Sequence, residues 1–335
     1  MFLNKRSNGF YYINYLISEG KWKRISTQTT LKPEANKFFS EFKKNINQRK
    51  SPPLLSEFVK QYIAYSVTNH APGTTKRAEY VLTHFKTFIG EKYIDRITPQ
   101  DIEAYKSQRL AKVTPVTVNI ELRTLKAAFG VAVDWELIEE SPFRKSKLLR
   151  IPEKNPVYFS KEDFTALIST ISTRWLQDLV VFAVNTGMRR GEIVNLKWDN
   201  VDISHRLIRV SNSDHFTTKS RRERVIPLNP TALNVLKELS KTSEFVFIDE
   251  EALKINEREL TRLFSEAVKD AKLKKQLHFH SLRHTFASWL VQDGVSLYEV
   301  QRLLGHSNIA VTQVYSHLQP EGLHSTVNRI TIPLN

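Results

Sequence analysis

The chain has 335 residues, of which 41% are hydrophobic and 25% charged, as in a globular protein of two or three domains. The absence of cysteine excludes disulfides and thiolate metal sites. Without a signal peptide at its start or an apolar run long enough to cross a bilayer, we expect a cytoplasmic protein with no membrane partner. The formal net charge of +15 indicates a polyanionic partner.

Half of the positive excess lies in the first 50 residues, which hold 11 Lys and Arg against 3 Asp and Glu. Aromatic and β-branched residues at 10–17 and 22–30 predict two strands, and Pro33 opens a helix to about Lys44. A solvated basic surface is one interpretation, but basic and aromatic residues together favour a DNA-binding module over residues 1–48. Its candidate DNA contacts are Lys21, Lys23 and Arg24.

A polar linker is predicted at 45–53, and the next hundred residues show helical periodicity. Thr98 and Thr114 each precede a proline and read as N-caps of two of these helices. We therefore predict an all-helical domain over residues 52–148.

A second, basic linker follows at 141–156, and Ser160 reads as the N-cap of the first helix beyond it. A third domain, residues 155–335, is predicted to mix helices with three short strands. These strands are predicted at Leu207–Val210, Phe216–Lys219 and Arg224–Leu228.

Five residues of this third domain are of types that suit phosphodiester chemistry: Arg189, His280, Arg283, His306 and Tyr315. Without a metal or cofactor, a protein must itself supply cations for the charge that develops on the phosphate oxygens. Arginine is planar, permanently charged and able to bind phosphate in a bidentate manner. A tyrosine hydroxyl can act as nucleophile if cationic or basic groups surround it.

The surroundings of these residues refine the prediction. Glu192, three residues after Arg189, could orient that arginine, whereas Arg190 is expected to face solvent. His284, beside Arg283, is expected to support the site rather than to act in it. Tyr315 is expected about two turns into a helix that packs through other residues, namely Val311, Val314 and Leu318.

A zinc site is not favoured, although His280 and His284 are one helical turn apart. No glutamate lies between them, the chain has no cysteine, and Arg283 would repel a cation. We therefore expect no metal and no cofactor.

The ordered set resembles the tyrosine recombinase, or phage integrase, family, whose pattern is Arg…Lys…His-x-x-Arg…His…Tyr. The resemblance implies a mainly α fold with small β-sheets: an arm-type β module, a helical SAM-like core-binding domain and a mixed catalytic domain. It places a catalytic lysine at a hairpin turn, where Lys219 matches and Arg221 and Arg222 are candidate DNA contacts. It also implies that Tyr315 forms a 3′-phosphotyrosine on DNA.

The resemblance further implies a homotetramer on double-stranded DNA, with a weakly associated or monomeric free state. Its C-terminal tail, here 319–335, would dock on a neighbouring subunit, and accessory DNA-bending proteins could assist. The arm-like module favours an integrase of a phage or mobile element in a prokaryotic cell. Alternatives are a Xer-like chromosome dimer resolvase, a catalytically silent DNA-binding protein and, with the same chemistry, a type IB topoisomerase.

Overall fold

The computed structural model describes residues 1–16, 22–48, 52–152, 155–211 and 223–319. The chain divides into two compact units, residues 1–152 and 153–335. Both are rich in helix and carry small antiparallel sheets, so the predicted fold class is confirmed. The predicted boundary between an N-terminal module and a helical domain within the first unit stays a prediction.

The first unit begins with a three-stranded antiparallel sheet in the order β1-β2-β3, followed by a helix. These elements are β1 (Phe2–Lys5), β2 (Tyr11–Leu16), β3 (Trp22–Ser26) and α1 (Lys32–Gln48). Ile13 pairs with Leu3 and Ile25 and is fully buried, and Tyr15 on the same face makes an edge contact with Phe42 of α1. One face of the sheet therefore packs on the helix.

Two expectations for this region were wrong. Two strands were expected, but residues Phe2–Lys5 form a third, edge strand by pairing with β2. The helix was expected to end at about Lys44 with a linker from 45, yet it continues to Gln48 because no glycine or proline interrupts it before Pro52.

The rest of this unit is helical, as predicted: α2 (Leu55–Asn69), α3 (Pro72–Ile89), a 3₁₀ turn (Ile94–Arg96), α4 (Pro99–Leu110) and α5 (Pro115–Asp134). Both predicted N-caps form, since Thr98 accepts a hydrogen bond from the Asp101 amide and Thr114 from the Thr117 amide. Phe58, Phe85 and Phe129 are fully buried at the centre of its core.

The second unit contains seven helices in its described residues. They are α6 (Lys161–Thr170), α7 (Arg174–Thr186), α8 (Arg190–Val194), α9 (Pro230–Glu238), α10 (Glu257–Asp270), α11 (Phe279–Gln292) and α12 (Leu297–Leu304). Three 3₁₀ segments accompany them, Trp198–Asn200, Ile309–Val311 and Gln313–Leu318. Ser160 caps α6, as predicted. Helices α7 and α11 pack against each other near the centre of the unit.

The sheet of this unit is antiparallel in the order β4-β5-β6. Its strands are β4 (Val201–Asp202), β5 (Leu207–Val210) and β6 (Arg224–Pro227). The predicted strands at the positions of β5 and β6 are thus present, while the one at Phe216–Lys219 lies outside the described residues. Among the described helices, none combines the length and hydrophobicity needed to cross a bilayer.

Candidate active site

Glu192 is the carboxylate around which the site is organised. Helix α7 ends at Gly187, which has a left-handed φ of 61°, and a side chain there would overlap the Phe286 ring. The chain then turns so that Arg189 caps α8. Glu192 accepts hydrogen bonds from the Arg189 backbone amide (2.8 Å) and from its Nη1 (2.9 Å). Glu192 therefore contacts both the backbone and the side chain of Arg189, and its role in orienting that arginine stays a prediction.

A second arginine, which the sequence analysis did not single out, completes the environment of this carboxylate. Arg224, the first residue of β6, donates from Nη1 (2.9 Å) and Nη2 (2.6 Å) to Glu192 and from Nε to the Leu303 carbonyl (3.2 Å). Its aliphatic part lies where a side chain at Gly305 would be. Arg224 thus joins the sheet to α8 and to the end of α12.

The charge state of Glu192 follows from these neighbours. Its side chain is buried, and burial alone would raise its pKa. The hydrogen bonds and positive charge of Arg224, and then those of Arg189, outweigh that effect and lower the pKa of Glu192 to about 2. Glu192 is therefore ionised at neutral pH and balances one of the two arginines.

Arg283 is buried at the junction of two helix ends. Its Nη1 donates to the Gly187 carbonyl after α7 (2.7 Å), and its Nη2 donates to the Leu304 carbonyl at the end of α12 (2.6 Å). Among the described residues, no carboxylate lies within 4.0 Å of its guanidinium. Burial, with the charges of Arg189 and Arg224, lowers the pKa of Arg283 to about 9, so it still carries its charge at pH 7.

His306 lies just beyond α12 and is hydrogen-bonded through both its backbone and its side chain. Gly305 follows α12 in the left-handed conformation that commonly ends a helix. The His306 amide donates to the Gln301 carbonyl (3.1 Å), and its Nδ1 lies 2.9 Å from the Thr312 hydroxyl. Burial and then the charge of Arg283 lower the pKa of His306 to about 3, so its imidazole is neutral at pH 7.

His280 lies in the first turn of α11, and its ring makes an edge contact with the His284 ring at a centroid distance of 4.9 Å. Although the residue as a whole is exposed, desolvation of its ring, followed by the charges of His284 and Arg283, lowers the pKa of His280 to about 4. In the free protein His280 is thus also a neutral imidazole at pH 7.

Tyr315 departs most from the sequence-based expectation. It lies in a 3₁₀ helix, not two turns into an α-helix, and only 2% of it is exposed. Val311 and Val314, which were expected to pack inward, are 52% and 41% exposed. The Tyr315 ring packs with Val300 and Leu304 of α12, and its hydroxyl lies 2.6 Å from Nδ1 of His284.

Some of the remaining candidate residues lie in the described part of the chain and others lie outside it. Lys23 and Arg24 are exposed on β3, where Arg24 Nε donates to the Asn14 carboxamide (3.2 Å). Arg190, which was expected to face solvent, is partly exposed, pairs with Glu257 (2.7 Å) and donates to the Thr261 hydroxyl. Candidates outside the described residues are Lys21, Lys219, Arg221 and Arg222.

The residues of this site lie on or next to α8, β6, α11, α12 and the final 3₁₀ helix. Arg224 and Thr312 were missed because neither stands in a recognisable local motif. The partners of Arg224 are distant in sequence, and Thr312 meets His306, six residues before it, only through the turn that follows α12. Within the described part of the chain, no group of three or more His, Asp or Glu is arranged to hold a metal ion. Buried arginines beside neutral imidazoles and a tyrosine hydroxyl define a site suited to phosphoryl transfer through a covalent intermediate.

Comparison with known proteins agrees with this class of site. Residues 158–321 match the phage integrase family, and residues 54–148 match the phage integrase SAM-like domain. The chain belongs to the phage integrase family of tyrosine recombinases. The predicted enzyme class is therefore confirmed: the protein breaks and rejoins DNA strands in site-specific recombination. DNA is confirmed as its partner.

Curated relatives and solved structures cover much of the chain. A tyrosine recombinase of Thermosipho africanus is 26% identical over 285 residues, which cover 82% of this chain and 98% of that protein. The tyrosine recombinase XerC of Pediococcus pentosaceus is 26% identical, over 73% of this chain and 86% of its own.

Two integrase structures share the fold. The Tn1549 transposon integrase, in complex with a circular intermediate DNA, has a TM-score of 0.68 at 22% identity, covering 82% of this chain and 99% of its own. A lambda integrase dimer bound to a COC′ core site has a TM-score of 0.68 at 17% identity, covering 99% and 97%.

Proposed function

We propose that this chain recombines double-stranded DNA as an integrase of a phage or mobile element, with Tyr315 as the nucleophile. The observation that carries the assignment is the position of the Tyr315 hydroxyl. It is hydrogen-bonded to His284, which follows Arg283 on α11. Arg283 is a buried cation without a carboxylate partner in the described residues. A phosphate diester is the anion that would balance this charge.

In this mechanism Tyr315 attacks the scissile phosphorus, forms a 3′-phosphotyrosine and releases a 5′-hydroxyl. The 5′-hydroxyl of the partner strand then reverses the linkage, so the energy of the phosphodiester is retained. Arg189 and Arg283 bind the non-bridging oxygens, which gain charge in the transition state. His280 and His306 donate hydrogen bonds to the same oxygens. Lys219, which lies outside the described residues, stays the predicted acid for the leaving 5′ oxygen.

The covalent intermediate can be trapped with a nicked DNA substrate that loses its 5′-hydroxyl fragment after cleavage. We expect a protein–DNA adduct attached through the 3′ phosphate, formed equally well with and without EDTA because the chemistry uses side chains alone. Free 3′ ends in place of an adduct, or a strict need for a divalent ion, would contradict the proposal.

The choice of an integrase over a chromosome-resolving enzyme rests on the N-terminal module. The structural likeness to lambda integrase spans 99% of this chain. The sequence match to the XerC of Pediococcus pentosaceus covers 73% of this chain and 86% of that protein. The N-terminal sheet exposes Trp22, Lys23 and Arg24 together on β3. These features support a separate DNA-binding module. We also propose a homotetramer on DNA, since a structure of similar fold is a lambda integrase tetramer bound to a Holliday junction. Accessory DNA-bending proteins and a prokaryotic cytoplasm complete the proposal.

Deleting residues 1–48 tests this choice. The module holds a large share of the positive charge, so its loss should reduce the salt dependence of binding by about 0.9 log units per lost phosphate contact for each tenfold change in salt. Protection of DNA sites away from the crossover site should disappear in footprinting, while cleavage of an isolated core site should survive.

The contrary result is also informative. A truncated protein that protects the same DNA as the full chain, with an unchanged salt slope, would disprove a separate binding role for the module. The Xer-like alternative, suggested by the names of several relatives, would then be favoured.

A further inference from the structure

The hydroxyl of Tyr315 has one side-chain hydrogen-bond partner among the described residues, Nδ1 of His284 at 2.6 Å. Burial raises the pKa of Tyr315 to about 12, so its hydroxyl is protonated at neutral pH and must be the donor. His284 therefore accepts through an unprotonated Nδ1, which fixes its tautomer. This pair joins α11 to the final 3₁₀ helix.

Attack by Tyr315 requires that its proton leave, and the surroundings restrict where the proton can go. Only 2% of the residue is exposed, and it packs in a cluster with Ala287, Val291 and Val300, so contact with bulk water is small. The cations of the site are donors and cannot take a proton. A neutral imidazole already in hydrogen-bond contact is the available acceptor.

We propose that His284 is the general base that accepts the proton of Tyr315 during DNA cleavage and returns it during rejoining. This role rests on the proposed nucleophilic function of Tyr315. As the bond from Tyr315 Oη to phosphorus forms and the bond from phosphorus to the 5′ oxygen breaks, the tyrosine proton moves to Nδ1 of His284. The leaving oxygen takes its proton from a separate acid, for which Lys219 is the predicted donor. Rejoining reverses both transfers.

Other ionisable groups near His284 keep its imidazole unprotonated in the free protein. His280 and Arg283 lie on its own helix, His278 lies just before that helix, and Tyr315 faces it from the 3₁₀ helix. Partial burial, followed by the charges of His278 and Arg283, lowers the pKa of His284 to about 4 in the free protein. A bound phosphate places negative charge in this cluster, which raises the proton affinity of His284 when cleavage begins.

The test compares two substitutions of His284 in the full-length protein. In His284→Asn, the carboxamide oxygen can take the place of Nδ1 as hydrogen-bond acceptor but cannot accept a proton. We expect DNA binding close to that of the wild type and single-turnover cleavage slower by about 10²–10⁴-fold, the usual contribution of a general base. His205→Asn is the matched control, because His205 is exposed in a surface turn.

Chemical rescue distinguishes a role of His284 in proton transfer from a role in packing. In His284→Ala, added imidazole should restore formation of the covalent adduct, and a series of substituted imidazoles should restore it in proportion to their basicity. Rescue that is independent of basicity, or cleavage by His284→Asn at the wild-type rate, would overturn the proposal. An adduct that still forms in Tyr315→Phe would instead refute the nucleophile, so the two failures are distinguishable.

Discussion

Replacing Tyr315 by phenylalanine is expected to abolish the covalent protein–DNA adduct while leaving binding to the recombination site intact. The substitution removes the only oxygen of the side chain and keeps the ring that packs against Val300 and Leu304. Loss of the hydrogen bond to His284 should lower the free energy of unfolding by only about 1 kcal/mol. A gel assay with the nicked substrate and a thermal melt measure the two effects.

Tyr298→Phe is the matched control for this experiment. Tyr298 lies on α12 and is 65% exposed, so the same loss of a hydroxyl should leave adduct formation unchanged. A covalent band that persists in Tyr315→Phe, with its DNA attached to another residue, would show that the nucleophile has been wrongly assigned.

Replacing Arg283 by alanine should reduce cleavage by roughly 10²–10³-fold or more, because one donor to the developing charge contributes about that much. It should also destabilise the protein, since the carbonyls of Gly187 and Leu304 would lose a buried, charge-assisted donor. We expect a loss of roughly 2–5 kcal/mol, partly offset by removal of a buried charge. DNA binding should weaken far less, because affinity is distributed over many phosphate contacts.

Arg283→Lys distinguishes charge from geometry. Lysine keeps the positive charge, but a single ammonium group cannot reach both helix ends and present a planar pair of donors to phosphate. We therefore expect Arg283→Lys to remain folded and still cleave poorly at a temperature well below its melting point. Arg262→Ala on the exposed face of α10 serves as the control. Wild-type cleavage by Arg283→Lys would show that charge alone suffices.

Local signals predicted much of the architecture. Thr98, Thr114 and Ser160 cap the helices they were expected to cap, because a hydrogen bond from a backbone amide to the side-chain oxygen three residues before it needs no distant partner. Gly305 ends its helix for an equally local reason, its left-handed φ.

The segment around Tyr315 shows where periodicity failed. Read as an α-helix, it turns Val311, Val314 and Leu318 inward. In the 3₁₀ helix that forms, residues three apart lie above one another, and Thr312 and Tyr315 are the buried pair, at 0% and 2% exposure. The choice between the two helix types depends on packing against α11 and α12, which the segment alone does not specify.

The amino-acid sequence by itself determined the kind of chemistry, through the ordered Arg, His and Tyr residues, and the helices and strands that carry them. Only the tertiary structure decided which groups meet. Arg224 contacts Glu192, 32 residues away, and Leu303, 79 residues away. Arg283 contacts the end of α7, 96 residues away, and His284 contacts Tyr315, 31 residues away. Local propensity does not encode such pairs, because each exists only after several helices have packed and the buried charges have found their partners.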